Sequence, residues 1–559
     1  MQSAIEIISA AVERALGAPA LLRPCADPQF GDYQANGVMA VAKQTKQNPR
    51  TLAEKIVSQL ALDEICEPPT VAGAGFINFK LRREFVAAQV TAAVGDPRHG
   101  VPIATEPKTV VIDFSSPNVA KPMHVGHIRS TILGDCLARV MWFLGHRVIT
   151  DNHIGDWGTQ FGMLIIGWKQ DLDEAALQQD PITELERLYK LVNRACELTP
   201  AIREAAKSEL VKLQQGDREN NAIWQQIIDL SKHEFDRTYA RLGVSFDHTF
   251  GESFYNPMLA DVVADLRTRG IAVESDGAIC VFVEGSKAPL IIQKADGAFL
   301  YGTTDLATFK YRLDQWHPHE IVYVTDARQQ LHFKQVFAAA AKWMPTVPDL
   351  RHVWFGSILG EDGKPLKTRS GENVKLGELL DEATERALAV VTEKNPELPE
   401  QIRNTIARAV GIGAVKYADL SQNRTTDYVF SWAKMLAMNG NTAPYMQYAY
   451  VRVQSIFRKA GAATLDVPIA LEHPTELDLA KHILRFTETL QAVADDDKPN
   501  WLTAYLYDLA GKFSAFYDNC PVIQSAEPTR SSRLQLCRLT ADIMKRGLNL
   551  LGIDVIEQM

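Results

Sequence analysis

The stretch from residue 109 to residue 150 constrains the fold more than any other part of the chain. Residues 109–114 (TVVIDF) are a β-branched run that reads as a buried strand. A Ser/Pro/Asn loop follows. Residues 126–144 then carry Ile128, Ile132, Cys136, Val140 and Leu144 on one helical stripe, Gly145 stops the helix, and residues 147–150 form the next strand. Strand, helix and strand in immediate succession require a parallel pair joined by a right-handed crossover. A parallel sheet gathers its ligands beyond the carboxyl ends of its strands, so the loop from Ser115 to Gly126 is where chemistry is expected.

The same rhythm returns later. Residues 298–301 lead into a helix from Thr303, residues 321–324 into a helix from about Gln329, and residues 353–359 read as a further strand. Between the two halves, residues 165–290 are charged and mostly helical, with a β-rich end at 278–283, and read as an insertion. Residues 1–105 read as a small α+β unit. It has a helix at 5–16, a helix opened by Thr51 as N-cap with Glu54 completing a capping box, an alternating strand at 76–81 and a linker at 95–100. Beyond residue 375 the pattern is helical. The fold class is therefore a multidomain α/β protein. A doubly wound, Rossmann-like parallel-sheet domain (106–375) is flanked by the N-terminal α+β domain, a helical connector (376–430) and an all-α bundle (431–559). A chain of 559 residues is too long for one hydrophobic core, which agrees with this division.

Composition excludes some classes. The net charge of -9 argues weakly against nucleic-acid binding, although a basic face can sit on an acidic body. Seven widely spaced cysteines without a CxxC pair suggest neither a disulfide framework nor zinc. The N-terminus has no basic region ahead of an apolar run, and no apolar stretch is long enough to span a bilayer. Cytoplasmic location, no membrane association and a monomeric state are the expectations.

The loop 115–126 has neither G-x-G-x-x-G nor a Walker A sequence. It has His124-Val125-Gly126-His127 at a helix start. Gly126 would let a nucleotide approach the backbone, the helix terminus would offer partial positive charge and free N–H groups to phosphate, and the rings of His124 and His127 would donate to phosphate oxygens. Taken alone, the pair reads more readily as two capping histidines without chemistry. The longer string decides. Residues 113–135 resemble the HIGH region of class I aminoacyl-tRNA synthetases, and of the arginine enzymes in particular. Residues 151–162 (DNHIGDWGTQFG) resemble a second block of that family, and the resemblance covers nearly the whole chain.

This resemblance implies an ATP-dependent arginine–tRNA ligase, with L-arginine, ATP and tRNA(Arg) as partners. It implies Mg2+ travelling with ATP, and no bound zinc or other protein-held metal. It implies that Asp113, Tyr301 and Asp305 contact the guanidinium, that Asn118 and Gln329 hold the amino-acid end, and that Ser115 and His153 lie in the same pocket. His124, Gly126 and His127 would meet ATP. The family's K-M-S-K-S loop is absent; residues 364–371 (KPLKTRSG) stand at its place, so Lys367 and Arg369, with Lys121, would supply the missing charge. Arginine enzymes generally require bound tRNA before they activate the amino acid.

The flanks fit the same family. Residues 441–459 interleave aromatics and cations, and Tyr445 and Tyr448 are expected to stack on tRNA bases. Arg530, Arg533, Arg538, Lys545 and Arg546 would form a basic face. Phe76 and Asn78, on one strand face, are expected to meet the D-loop. Gln558 replaces an Arg found in many bacterial members. Other readings are a cysteine enzyme, which would need a zinc-thiolate site, a silent tRNA-binding module, and a small-molecule nucleotidyltransferase, which would not need so long a chain.

Overall fold

The computed structural model describes residues 2–25, 27–367, 374–461 and 467–557. Arg369 and Gln558 lie outside them. Four strands, Asp349–His352, Glu320–Tyr323, Thr109–Asp113 and Arg147–Asp151, lie in that order in one wholly parallel sheet. The two-residue period of a strand explains why the sheet is covered twice. Val110 and Ile112 face the core that contains helix Val125–Phe143, whereas Val111 joins Ile149, Ile321 and Tyr323 beneath helices Glu252–Thr268, Tyr301–Trp316 and Gln330–Trp343.

Helix Val125–Phe143 is buried well beyond the single stripe read from its sequence. It packs against the sheet, the connector helices Leu376–Lys394 and Glu400–Leu420, and the C-terminal helices Phe486–Asp496 and Thr529–Leu550. Gly134 permits the approach to the sheet, since a Cβ there would stand 2.2 Å from Phe114 Cγ. Arg129 is buried on the same helix. Its Nε lies 3.0 Å from Asp419 Oδ2, and its Nη1 donates to the carbonyls of Gly356 and Thr426. The guanidinium thus pins the catalytic-domain helix to the connector.

A second buried cation ties in the end of the chain. Lys416 Nζ donates to the carbonyls of Gly552 (2.6 Å) and Leu242. Burial pulls its pKa down to about 8. The N-terminal unit is an antiparallel four-stranded sheet with helices, docked onto the C-terminal bundle through Asp32 with Lys481 (2.8 Å), Tyr33 with Glu488, and Thr91 with the Ile469 amide.

Three expectations change. The helix expected to open at Thr51 runs Pro49–Val57 and is capped by Asn48, whose side chain accepts from the amides of Arg50 and Thr51; Pro49 at the first helical position fixes the start two residues ahead of Thr51. Residues 298–301 form no strand. Tyr301 opens helix Tyr301–Trp316, and the preceding strand, Leu290–Gln293, belongs to a separate antiparallel sheet. The strand expected at 353–359 is displaced: Asp349–His352, just ahead of it, closes the parallel sheet, and within it only Ile358–Leu359 is a strand, paired with Tyr428–Val429.

Replacing Arg129 with Met leaves Asp419 buried without its partner. The expected loss is about 3–5 kcal/mol, seen as a lower denaturant midpoint for the catalytic and connector domains; an unchanged midpoint contradicts the pinning role.

Candidate active site

Strand Thr109–Asp113 lies between Glu320–Tyr323 on one side and Arg147–Asp151 on the other, so the crevice expected of a parallel sheet opens beyond Asp113, Asp151 and Tyr323. The chain leaves this point in a strained path: Ser115, Ser116 and Ala120 have φ of 75°, 50° and 59°. Hydrogen bonds hold it there. The Ser115 amide donates to Ser130 Oγ, Ser115 Oγ sits 2.8 Å from both Thr131 Oγ1 and Tyr239 Oη, and the Ser116 amide donates to Asn152 Oδ1. Ser115 is buried by these contacts. Asn118 is exposed at the mouth and packs on Gly155, where any Cβ would stand 2.2 Å from Asn118 Oδ1.

Asp113 already holds a guanidinium, and it is internal. Arg312 Nη2 donates to Asp113 Oδ2 at 2.6 Å and to Asp151 Oδ2 at 2.8 Å, while Ser116 Oγ donates to Asp113 Oδ1. Burial alone would lower the Arg312 pKa, but Asp113 and Asp151 outweigh it and keep the group charged. The first strand's carboxylate therefore orders the strand ends.

The His pair caps the helix. His124 Nδ1 accepts from the Gly126 amide at 3.0 Å, and the His124 amide donates to His127 Nδ1 at 3.1 Å. Gly126 is needed for this, since a Cβ there would stand 2.8 Å from His124 Cε1. The helix-start amides are spent internally: Val125 N donates to the Val374 carbonyl and His127 N to the His124 carbonyl. The expected free N–H groups are thus taken, and the groups left for a ligand are the ring Nε2–H donors. Burial, then the charge of His124, lowers the His127 pKa to about 3; burial, then Arg328 and Lys121, lowers that of His124. Both rings are neutral at pH 7. Two backbone bonds, Val125 N to Val374 O and Leu376 N to Met123 O, tie the 374–376 segment to the His pair. Lys121 Nζ lies over the Tyr189 ring, Lys367 is exposed, and Arg328, which the sequence reading missed, is 89% exposed near His124.

An acidic cluster stands at the other side of the crevice. Tyr301 and Asp305 open helix Tyr301–Trp316 four residues apart, on one face, with Tyr301 72% exposed. Asp305 Oδ2 lies 2.5 Å from His332 Nε2. Asp156 accepts from the amide and hydroxyl of Ser253, and Gly251 makes room for it. Glu252, which the sequence reading also missed, is pushed up to about 8 by burial and then by the charges of Asp156 and Asp305. It makes no ion pair among the described residues. His153 Nδ1 is buried without a partner, with its ring 5.4 Å from Tyr255, and Gln329 is exposed at the end of the turn Ala327–Gln329. No local sequence signal marks Glu252; it is brought in by the insertion. Among the described residues no group of three His, Cys, Asp or Glu is placed to hold a metal. A cavity of about 1280 Å3 lies elsewhere, between Arg139, Arg241, Arg408 and the C-terminal tail, outside this crevice.

The residues expected to meet tRNA are far apart in sequence and differ in exposure. Tyr448 is 45% exposed, Tyr445 is half-buried beside Tyr507, and Phe76 is half-buried. Asn78 is buried and its Oδ1 accepts from Gln34 Nε2 at 2.8 Å. The expected basic face is largely neutralised: Arg533 pairs with Glu476, Arg538 with Asp542, Arg530 with Glu527 and Lys545 with Glu557, and Arg546 donates to the Pro97 carbonyl. No helix of the described residues is long and apolar enough to cross a membrane.

Nitrogen NMR of the imidazoles should find His127 neutral and Nε2-protonated from pH 8 down to about pH 5, as a group titrating near 3 requires. Titration near the ordinary 6.5 contradicts the buried cap.

The chain is similar to known proteins along its whole length. A model described as "tRNA synthetases class I (R), catalytic domain" matches residues 89–432, the "Arginyl tRNA synthetase N terminal domain" matches 2–81, and the "DALR anticodon binding domain" matches 446–559. An arginine–tRNA ligase of a Synechococcus strain is 50% identical, over 96% of this chain and 95% of that protein. The one from Proteus mirabilis is 48% identical over 99% of both. Among solved structures, the arginyl-tRNA synthetase of Plasmodium falciparum superposes with a TM-score of 0.85 at 32% identity, covering 99% of this chain and 98% of its own. That of Thermus thermophilus superposes at 0.83 and 25%, covering 99% and 100%. With the His pair, the parallel sheet, the acidic crevice and both flanking domains in place, the chain belongs to the arginyl-tRNA synthetases of class I.

Proposed function

We propose that the chain is an arginine–tRNA ligase whose specificity resides in the acidic crevice of Asp305, Glu252 and Asp156, with Tyr301 as a wall. The observation that carries this reading is Glu252: burial and two neighbouring carboxylates push it up to about 8, the state of a site that lacks a permanent cation. A guanidinium supplies one, with planar donors suited to carboxylates. Asp305 and Glu252 take the place that the sequence gives to Asp113, whose oxygens serve Arg312 and Ser116. Asn118, Gln329 and His153, at the other edge, are suited to the amino-acid end.

The neutral rings of His124 and His127 point Nε2–H donors toward the α-phosphate of ATP, with Lys121, Arg328 and Lys367 as cations around the triphosphate. The arginine carboxylate oxygen attacks the α-phosphorus and pyrophosphate leaves. The 2′-hydroxyl of the tRNA 3′-terminal ribose then attacks the carbonyl of arginyl-adenylate, and AMP leaves. Pre-positioned donors and cations stabilise charge developing on the phosphate without rearrangement. Mg2+ comes with the nucleotide, and no protein residue is assigned to it. Tyr448 and Phe76 are the accessible aromatics for tRNA bases, and activation requires bound tRNA. The enzyme acts as a monomer.

Asp305→Ala and Glu252→Gln should each weaken arginine binding by about 2–5 kcal/mol, roughly 30-fold or more, while the KM for ATP stays within a few-fold. Equal arginine affinity in either variant removes that residue from the pocket. The pH dependence has a definite sign. With its pKa near 8 in the empty site, Glu252 holds a proton below pH 8, which arginine must expel; arginine affinity therefore rises as pH rises toward 8. A calorimetric Kd that is flat with pH contradicts the assignment.

A further inference from the structure

Asp305 has an occupant in this structure. His332, in the first turn of helix Gln330–Trp343, holds Nε2 2.5 Å from Asp305 Oδ2. Its Nδ1 has no hydrogen-bond partner among the described residues, and its side chain is 28% exposed, so that nitrogen can exchange a proton with water. The groups that surround it come from several elements. Asp305 faces it from helix Tyr301–Trp316, and Glu252 lies beyond Asp305 from helix Glu252–Thr268. On the other side stands His352 of strand Asp349–His352, which feels the charge of His332 and also those of Arg424 and Asp326. His352 itself is engaged with Thr325 Oγ1 at 2.7 Å.

We propose that His332 is a positioning residue for the amino-acid substrate: a placeholder cation that keeps Asp305 paired and aimed while the pocket is empty, and that gives up its proton when the guanidinium arrives. The proposal rests on the reading that Asp305 receives that guanidinium. Without a counter-charge, Asp305 would stand unpaired beside Glu252 and Asp156, and the carboxylates would repel one another. The imidazolium relieves this. Substrate arginine carries a fixed charge that cannot be titrated away near neutral pH, whereas imidazolium can lose its proton at little cost. With both cations on one carboxylate, the proton on His332 Nδ1 is therefore the charge that leaves. It goes to water, one proton per arginine bound, and the Nε2–H···Oδ2 bond survives to hold the carboxylate in place.

The electrostatics have the right sign. Burial pulls the His332 pKa down, but the hydrogen bond and the charge of Asp305 outweigh it and leave the ring above its ordinary 6.5. The ring is thus mostly charged in the empty enzyme at pH 6.5, and competition with arginine grows as pH falls through the raised value. Glu252 adds a proton of its own to the release below pH 8, so the two contributions must be separated by variants.

The test is calorimetric titration of L-arginine into the full chain at pH 6.5, in two buffers of different ionisation enthalpy, to count protons released. His332→Gln keeps a neutral donor at Asp305. It should release fewer protons than the wild type by more than about half a proton, and bind arginine more tightly at pH 6.5, with the difference closing toward pH 8.5. Equal proton release by the two proteins overturns the proposal. If His332→Gln does not fold, His332→Asn gives the same readout. Asp305→Asn separates the two ideas. If it binds arginine as the wild type does, the pocket reading itself is wrong. If it loses arginine while His332→Gln releases protons like the wild type, the pocket stands and the placeholder falls.

Discussion

The site depends first on one buried guanidinium. Arg312 bridges Asp113 and Asp151 at the carboxyl ends of neighbouring parallel strands, wholly shielded from water. Removing Arg312 would leave two bare carboxylates in the core, so the guanidinium must stay with them. Their union fixes where the strands end and hence where the strained turn at Ser115 and Ser116 begins. It also cancels much of the negative charge of two carboxylates deep in the crevice. Arg312 stands seven residues after Asp305 on helix Tyr301–Trp316, on the same face, so the residue that locks the sheet also sets the helix that presents Asp305.

Around that lock, the two halves of the crevice have opposite electrostatic characters. On the side proposed for the nucleotide, capping and burial keep His124 and His127 neutral, with cations outside them; as proposed donors to phosphate they carry no charge of their own to desolvate. On the side proposed for the amino acid, burial and then the neighbouring carboxylates push Glu252 up to about 8. The 374–376 segment is hydrogen-bonded to 123–125, beside the His pair.

Much of the fold was legible because it is written in local patterns. The β-branched run at 109–114, the helix after it and the strand at 147 were found where the periodicity placed them, and the helical C-terminal half likewise. The errors arose where sequence-local signals compete. Thr51 with Glu54 mimics a capping box, yet Asn48-Pro49 sets the helix start. The apolar run at 353–359 holds only the two-residue strand Ile358–Leu359, because the strand that closes the parallel sheet ends at His352. In the site, the His pair was legible as a helix start, but a linear reading could not show that its amides are consumed by Val374 and by the caps. Asp113 looked like a substrate ligand because its partner, Arg312, lies 199 residues away. Glu252 was illegible for the same reason: its environment is assembled by a glycine, Gly251, that lets Asp156 approach. Charge clusters built from distant segments carry no spacing rule.

The central claim is that the crevice activates arginine and no other amino acid. It is tested most directly by ATP–pyrophosphate exchange, run with each amino acid in turn, with and without total tRNA. The account predicts exchange with arginine alone, and only when tRNA is present. Exchange supported by a different amino acid, or none with arginine and tRNA together, would contradict it.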